Sequence, residues 1–213
     1  MKYPLFLDPQ AYMRLHAAPH VMGVFKRWTE RRAIARCLRE VSGVSRLCDV
    51  PCGFGRLFRF WHRRFPSVTG VDLSAPMVEA AGQTLRALGI PGEVRMGDAF
   101  HLRHVLDEPA DMVASVRFCY YFERADRVRL LGALAAASRR YVLVQYRTLQ
   151  TFKGRRDAAQ LPAGQHTRKY YCTEDEIRAE LAEAGLRCLR IAPISWASGF
   201  AFVLGETYFS HPI

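Results

Sequence analysis

In the stretch Leu47-Cys48-Asp49-Val50-Pro51-Cys52-Gly53-Phe54-Gly55-Arg56 a short apolar run ends in an acid, and two glycines follow one residue apart. Glycine permits close backbone approach and dihedrals that other residues avoid, so such a turn between a strand and a helix is a ligand cradle. The helix N-terminus beyond it favours an anionic group. Dinucleotide-binding folds use the same device, but their fingerprint places a third glycine three residues after the second, and that position here is Phe58. Asp49, at the strand end, would repel a pyrophosphate and suits a ligand with an ammonium group nearby. Asp72 closes a second strand, where a carboxylate can take two ribose hydroxyls in either ligand class. Further on, Gly97-Asp98-Ala99-Phe100 offers an acid for an exocyclic amine and a ring to pack an adenine. Together the acids describe a ligand with an amino-acid end, a ribose and an adenine.

The elements that must position these acids follow an alternating pattern. The spacing predicts strands at Leu47–Val50, Val68–Val71, Glu93–Met96, Asp111–Val116 and Tyr141–Tyr146, with helices over Gly55–Phe65, from Ser74 to Leu88, and over Arg124–Ser138. Ser74 reads as an N-cap and Gly89 as a C-terminal stop. Thr173-Glu174-Asp175-Glu176 is a capping box that opens one more helix, closed by Gly185. Two last strands, near Leu186–Ile194 and Gly199–Leu204, have no helix between them and should pair antiparallel. Alternation of this kind predicts an α/β three-layer sandwich with a mostly parallel seven-stranded sheet and a C-terminal antiparallel strand pair.

Two pieces lie outside that rhythm. An N-terminal helical segment includes a helix over Val21–Arg39, in which Val21, Val24, Phe25, Trp28, Ala35 and Leu38 are expected to face inward. A polar, basic stretch, Thr148–Tyr171, follows the fifth strand. The chain therefore reads as one domain over 1–213, with a helical cap at 1–43, a cofactor-binding core at 44–147, a basic insertion or lid at 148–171, and a C-terminal helix and strands at 172–213.

The 213 residues carry a formal charge of +11, built from 27 arginines and only 4 lysines. Such a charge fits an anionic partner, and arginine excess also accompanies GC-rich coding. No apolar run approaches the ~20 residues of a membrane span, and Met1–Gln10 lacks a signal-peptide pattern, so a cytoplasmic location is expected. The six cysteines form no Cys-x-x-Cys pair, and no His/Cys/Asp cluster has ligand spacing, so no metal is expected.

The arrangement resembles the class I S-adenosylmethionine-dependent methyltransferases. Asp49-Val50-Pro51-Cys52-Gly53-Phe54-Gly55 is similar to their Asp-x-Gly-x-Gly-x-Gly turn, with Pro51 in place of the first glycine. Val71-Asp72-Leu73-Ser74-Ala75-Pro76-Met77 is similar to their second-strand end, and Gly97-Asp98-Ala99-Phe100 to their adenine loop. The resemblance covers roughly Val44 to Glu206. It implies S-adenosyl-L-methionine as cofactor, held by Asp49, Pro51, Gly53, Gly55, Arg56, Asp72, Leu73, Met77, Asp98, Ala99 and Phe100.

A sulfonium is already an activated methyl donor, so the protein's remaining task is to place an acceptor and exclude water. The fourth strand of the family points its end at the transferring methyl, which here brings Arg117, Tyr120 and Tyr121 into view as acceptor-site candidates. His101, after the adenine loop, and His166, in the basic insertion, are the candidate bases. Cys52 reads as packing of the cofactor wall. The acceptor is expected to be a small molecule or glycan-like compound, anionic if the basic insertion is a lid. RNA, tRNA or rRNA, is the alternative acceptor, and a regulatory protein that binds the cofactor without turnover is the other. Oligomeric state and the acceptor atom are not written in the sequence.

Overall fold

The structure, a computed structural model, describes residues 21–160 and 170–208. Helix α1, Val21–Cys37, runs into a 3-10 turn at Leu38–Glu40. Then come β1 (Arg46–Asp49), α2 (Phe58–His62), β2 (Ser67–Asp72), α3 (Ala75–Leu88), β3 (Gly92–Met96), α4 (Leu102–Val105) and β4 (Ala110–Ser115). The chain continues through α5 (Arg124–Ala136), β5 (Ser138–Thr148), α6 (Phe152–Ala159), β6 (Tyr171–Cys172), α7 (Glu174–Glu183), β7 (Leu186–Pro193) and β8 (Phe200–Thr207).

The sheet order is β3-β2-β1-β4-β5-β8-β7, with the short β6 paired to the end of β5. Every pair is parallel except β5–β8 and β7–β8. The sheet thus has eight strands, one more than expected, because Tyr171 and Cys172 pair with Arg147 and Thr148. β5 is also longer than its apolar run: its partners β6 and β8 extend the ladder to Thr148.

Central strands of a parallel sheet are covered on both faces, and two clusters of buried side chains do this. One joins Ala33, Ile34 and Cys37 of α1 to Phe58 and Trp61 of α2, Leu85 of α3, and Phe202 and Leu204 of β8. The other joins Leu102 of α4, Leu130, Leu131 and Leu134 of α5, and Ile177 and Leu181 of α7. Helix α1 is therefore a member of the sandwich layer. Its inward face corrects the expectation: Thr29, Glu30, Ala33, Ile34 and Cys37 are buried, whereas Val24, Phe25 and Trp28 are 53–55% exposed. The capping box at Thr173 and Glu176 is present, and Gly89 ends α3 at φ 59°. Ser74 holds the N-cap position of α3, but its hydroxyl makes no cap bond.

Strand order reverses between β1 and β4, so a crevice opens beyond the carboxyl ends of those strands.

Candidate functional site

A cavity of ≈ 790 Å³ fills that crevice. Its first wall is the turn after β1. Gly53 and Gly55 adopt φ of +55° and +81°, the left-handed region that favours glycine. The two do different work. A Cβ on Gly53 would meet nothing within 4 Å, and Gly53 lines the cavity. A Cβ on Gly55 would lie 2.4 Å from the Phe58 ring, and one on Gly70 of β2 would lie 2.7 Å from it. Phe58, at the position of the missing third glycine, thus fills the space between two glycines. Gly55, also expected in the binding set, does not line the cavity and packs behind the turn. The positive φ values also shorten the next helix, which begins at Phe58 and not at Gly55.

Asp72 ties the turn to β2. Its Oδ2 accepts from Gly53 N at 2.9 Å and its Oδ1 from Ser74 N at 3.0 Å. Burial pushes its carboxyl above the usual range, and these backbone N–H groups oppose the shift. Asp49 is 2% exposed, and its Oδ2 accepts from Trp61 Nε1 at 3.0 Å. Burial pushes Asp49 up to about 7, against the Trp61 bond and the Arg56 charge. Cys52 is buried in the same wall, and burial pushes its thiol well up, so it remains protonated and is no nucleophile.

The second wall is the loop after β3. Asp98 Oδ1 accepts from Phe100 N at 2.9 Å and caps the 3-10 turn Ala99–His101. Its other oxygen lies 3.5 Å from His101 Nδ1. The Phe100 ring meets Phe122 edge-on at 5.2 Å, and Phe122 meets Phe118 at 4.8 Å. Arg129 of α5 lies over Phe100 at 5.6 Å and pairs with Asp126 at 2.9 Å. Leu73, 68% exposed, and the buried Met77 flank the opening from the β2 side.

Behind the third wall, where Arg56 and Arg117 line the cavity, stands a residue that the sequence reading missed. Glu30 of α1 has a side chain only 4% exposed, and its Oε2 pairs with Arg56 at 2.6 Å. Its Oε1 accepts from Arg117 Nε at 3.1 Å. Burial alone would raise the Glu30 carboxyl, but the Arg56 and Arg117 charges outweigh it and hold the group below its usual value. Arg117 follows β4 at φ 62°, a strained value for a residue with a side chain. Its N–H donates to Oε1 of the buried Gln145 at 3.0 Å, which fixes that backbone. One buried carboxylate therefore aligns two guanidiniums along the cavity edge. No local pattern in the sequence signals this, because the partners lie 26 and 87 residues away.

Of the residues expected to touch cofactor, Asp49, Pro51, Gly53, Arg56, Asp72, Leu73, Met77, Asp98, Ala99 and Phe100 all line this cavity. Of the acceptor-site candidates, Arg117, Tyr121 and His101 line it as well. Tyr120 does not: it is buried against Phe200, with ring centroids 5.1 Å apart. His166 lies outside the described residues. The basic insertion contributes no described residue to the wall. Its Phe152–Ala159 part is helical, with Thr151 as N-cap. Lys153 and Arg156 both pair with Asp157, at 2.6 and 3.3 Å. Gly154 is packed so closely on Thr148 O that a Cβ would lie 1.9 Å from it, which suits a fixed turn better than a hinge. Among the described residues, no group of three or more His, Cys, Asp or Glu side chains could hold a metal ion, and no helix is long and apolar enough to cross a membrane.

Residues 47–140 match the family model described as a methyltransferase domain. Those residues carry a methyltransferase domain, and the fold around them is that of class I S-adenosylmethionine-dependent methyltransferases. No curated protein matches the chain by sequence. Solved structures match the methyltransferase by fold. Magnesium protoporphyrin IX methyltransferase from Synechocystis, with bound S-adenosylhomocysteine, is 17% identical with a TM-score of 0.68, covering 89% of each chain. A methyltransferase from Clostridium acetobutylicum is 14% identical with a TM-score of 0.66, covering 93% of this chain and 96% of that one. Mitomycin 7-O-methyltransferase is 21% identical with a TM-score of 0.67, covering 95% of this chain and 59% of that one. At these identities the likeness establishes the fold alone.

Proposed function

We propose that the enzyme transfers the methyl group of S-adenosylmethionine to an anionic small molecule seated at the end of β4. The observation that carries this reading is the continuity of this cavity. It runs from the acids of the β1 turn, β2 and β3 to a wall of Phe118, Tyr121 and Phe122 with Arg117 beside it.

The lining suits the cofactor. A carboxylate offers about four acceptor sites, and backbone N–H groups take one on each oxygen of Asp72. Capacity remains for two ribose hydroxyls. Asp49 is a buried acid on the methionine side, suited to an ammonium, and Gly53 leaves room for close approach. Asp98, Ala99 and Phe100, with Met77, would enclose the adenine. When bound, the cofactor supplies an activated methyl group. The chain's own work is then to orient the acceptor and exclude water. The Phe100, Phe118, Phe122 cluster provides an apolar, dry wall. Arg56 and Arg117 bring two guanidiniums to this edge of the cavity, which suits an acceptor in its anionic, nucleophilic form. Protoporphyrin and mitomycin compounds, named for two of the structural neighbours, are small molecules and support this acceptor class.

The test is to incubate the protein with S-adenosylmethionine and a fractionated metabolite extract, and to read product masses. A new species heavier by one CH₂, lost in Arg117→Gln with cofactor binding retained, is expected. Product arising only with tRNA or rRNA would replace the reading by the RNA one. Cofactor binding with no product from any fraction would favour a non-catalytic binding protein.

A further inference from the structure

A second cavity of ≈ 830 Å³ lies on the outer side of α1 and shares no lining residue with the first. Trp28, Arg31, Arg32 and Ala35 of α1 face it, at the i, i+3, i+4, i+7 spacing of one helix face. Arg59 and Phe60 of α2, with Arg63 and Arg64 just beyond it, form the opposite side. Five guanidiniums thus converge on one concavity, and no carboxylate is among its described lining residues.

Two of the guanidiniums are seated on rings. Arg64 lies over Phe60 at 3.9 Å, with its Nη1 donating to Phe60 O at 3.1 Å. Arg32 lies over Trp28 at 5.2 Å. A guanidinium seated on a ring keeps its N–H edge turned outward, ready for a bidentate contact with phosphate oxygens. Arg31 stands at the base of the cavity, its Nε buried with no hydrogen-bond partner among the described residues. Burial, and then the charges of Arg56, Arg27 and Arg63, push its guanidinium below the usual value, against the opposing pull of Glu30. A fold that gathers like charges in this way is relieved by an anion that pairs with several of them.

We infer that this cavity is a binding site for a compact, multiply charged phosphate compound of the pyrophosphate class, separate from the methyl-transfer site. The arginine fan supplies the charge and the fork geometry, and the two rings supply the planes that hold it. The site does not depend on the acceptor reading above.

Isothermal titration calorimetry of the full chain with inorganic pyrophosphate at low salt tests the inference. Sodium sulfate and a short single-stranded oligoribonucleotide are titrated in parallel. Arg59→Gln/Arg63→Gln removes two exposed guanidiniums that hold no part of the cofactor cavity. Its binding of S-adenosylhomocysteine, within about twofold of the unaltered chain, reports that the fold is kept. Saturable pyrophosphate binding that weakens about tenfold or more in this variant, and weakens with added salt, is expected. Absence of pyrophosphate binding, or binding equal in the variant, overturns the inference. Sulfate bound as tightly as pyrophosphate would reduce the site to a general ion attraction and also overturn it. Binding of the oligoribonucleotide without pyrophosphate would assign the face to nucleic acid instead.

Discussion

Replacing Glu30 by Gln keeps the side chain's shape and removes its charge. The carboxylate meets guanidiniums at 2.6 and 3.1 Å, and its own exposure is 4%. Each charge-assisted bond is worth ~1.5–3 kcal/mol. The glutamine oxygen keeps one acceptor, and Arg56 and Arg117 are 14% and 26% exposed, so water takes up part of the loss. A destabilisation of about 2–4 kcal/mol follows, near the lower end for breaking a buried pair. A chain of this size loses ~2–4 °C of Tm per kcal/mol, so Tm should fall by roughly 4–16 °C at neutral pH. The folded Glu30 carboxyl sits below its ordinary 4.5. Its contribution is therefore complete above that value and is lost as pH falls through the lower folded value. The gap between Glu30→Gln and the unaltered chain should narrow on acidification. Thermal and urea unfolding at neutral and acid pH provide the readout. Equal Tm values at neutral pH would refute the argument that this carboxylate holds the two arginines at the cavity edge.

Asp49 titrates near neutrality because burial raises it to about 7. A bound ammonium favours the ionised form, so S-adenosylhomocysteine affinity should rise between about pH 6 and pH 8, and Asp49→Asn should lose that rise. The same raised value means that folding stability contributed by Asp49 falls as pH increases from about 4 to about 7, a slope absent in Asp49→Asn by urea unfolding. Gly55→Ala combines a left-handed φ with a 2.4 Å approach to the buried Phe58, and should cost about 2–4 kcal/mol in chemical denaturation. Gly53→Ala meets no atom within 4 Å and should cost only ~1–2 kcal/mol from its backbone. Its methyl enters the cavity, so calorimetry should show a loss of cofactor affinity larger than its loss of stability.

The parts of the fold that follow from local pattern were legible in the sequence. The apolar runs at Leu47, Val68 and Tyr141, the capping box at Thr173 and the stop at Gly89 all mark elements near their observed positions. Asp49, Asp72 and Asp98 were legible as well, because each stands at a strand end beside a turn, where topology brings them to one crevice. What stayed hidden depends on distant partners. Helix α1 was expected to bury its largest apolar residues, yet it buries Glu30, because Arg56 and Arg117 satisfy that charge from across the chain. The bond from the buried Trp61 to Asp49 likewise reflects packing of α2 on β1. The extent of β5 was masked by polar residues whose pairing with β6 and β8 is tertiary.

Calorimetric titration with S-adenosylhomocysteine, on the unaltered chain and on Asp72→Ala, tests the assignment of the cavity most directly. Asp72 joins the β1 turn to the β2 end, through Gly53 N at 2.9 Å and Ser74 N at 3.0 Å. Saturable binding that weakens by ~3–6 kcal/mol in Asp72→Ala is expected, since two hydrogen bonds to a charged group, each ~1.5–3 kcal/mol, are lost. Equal affinity in the two proteins, or a chain that binds NADH and not S-adenosylhomocysteine, would contradict it.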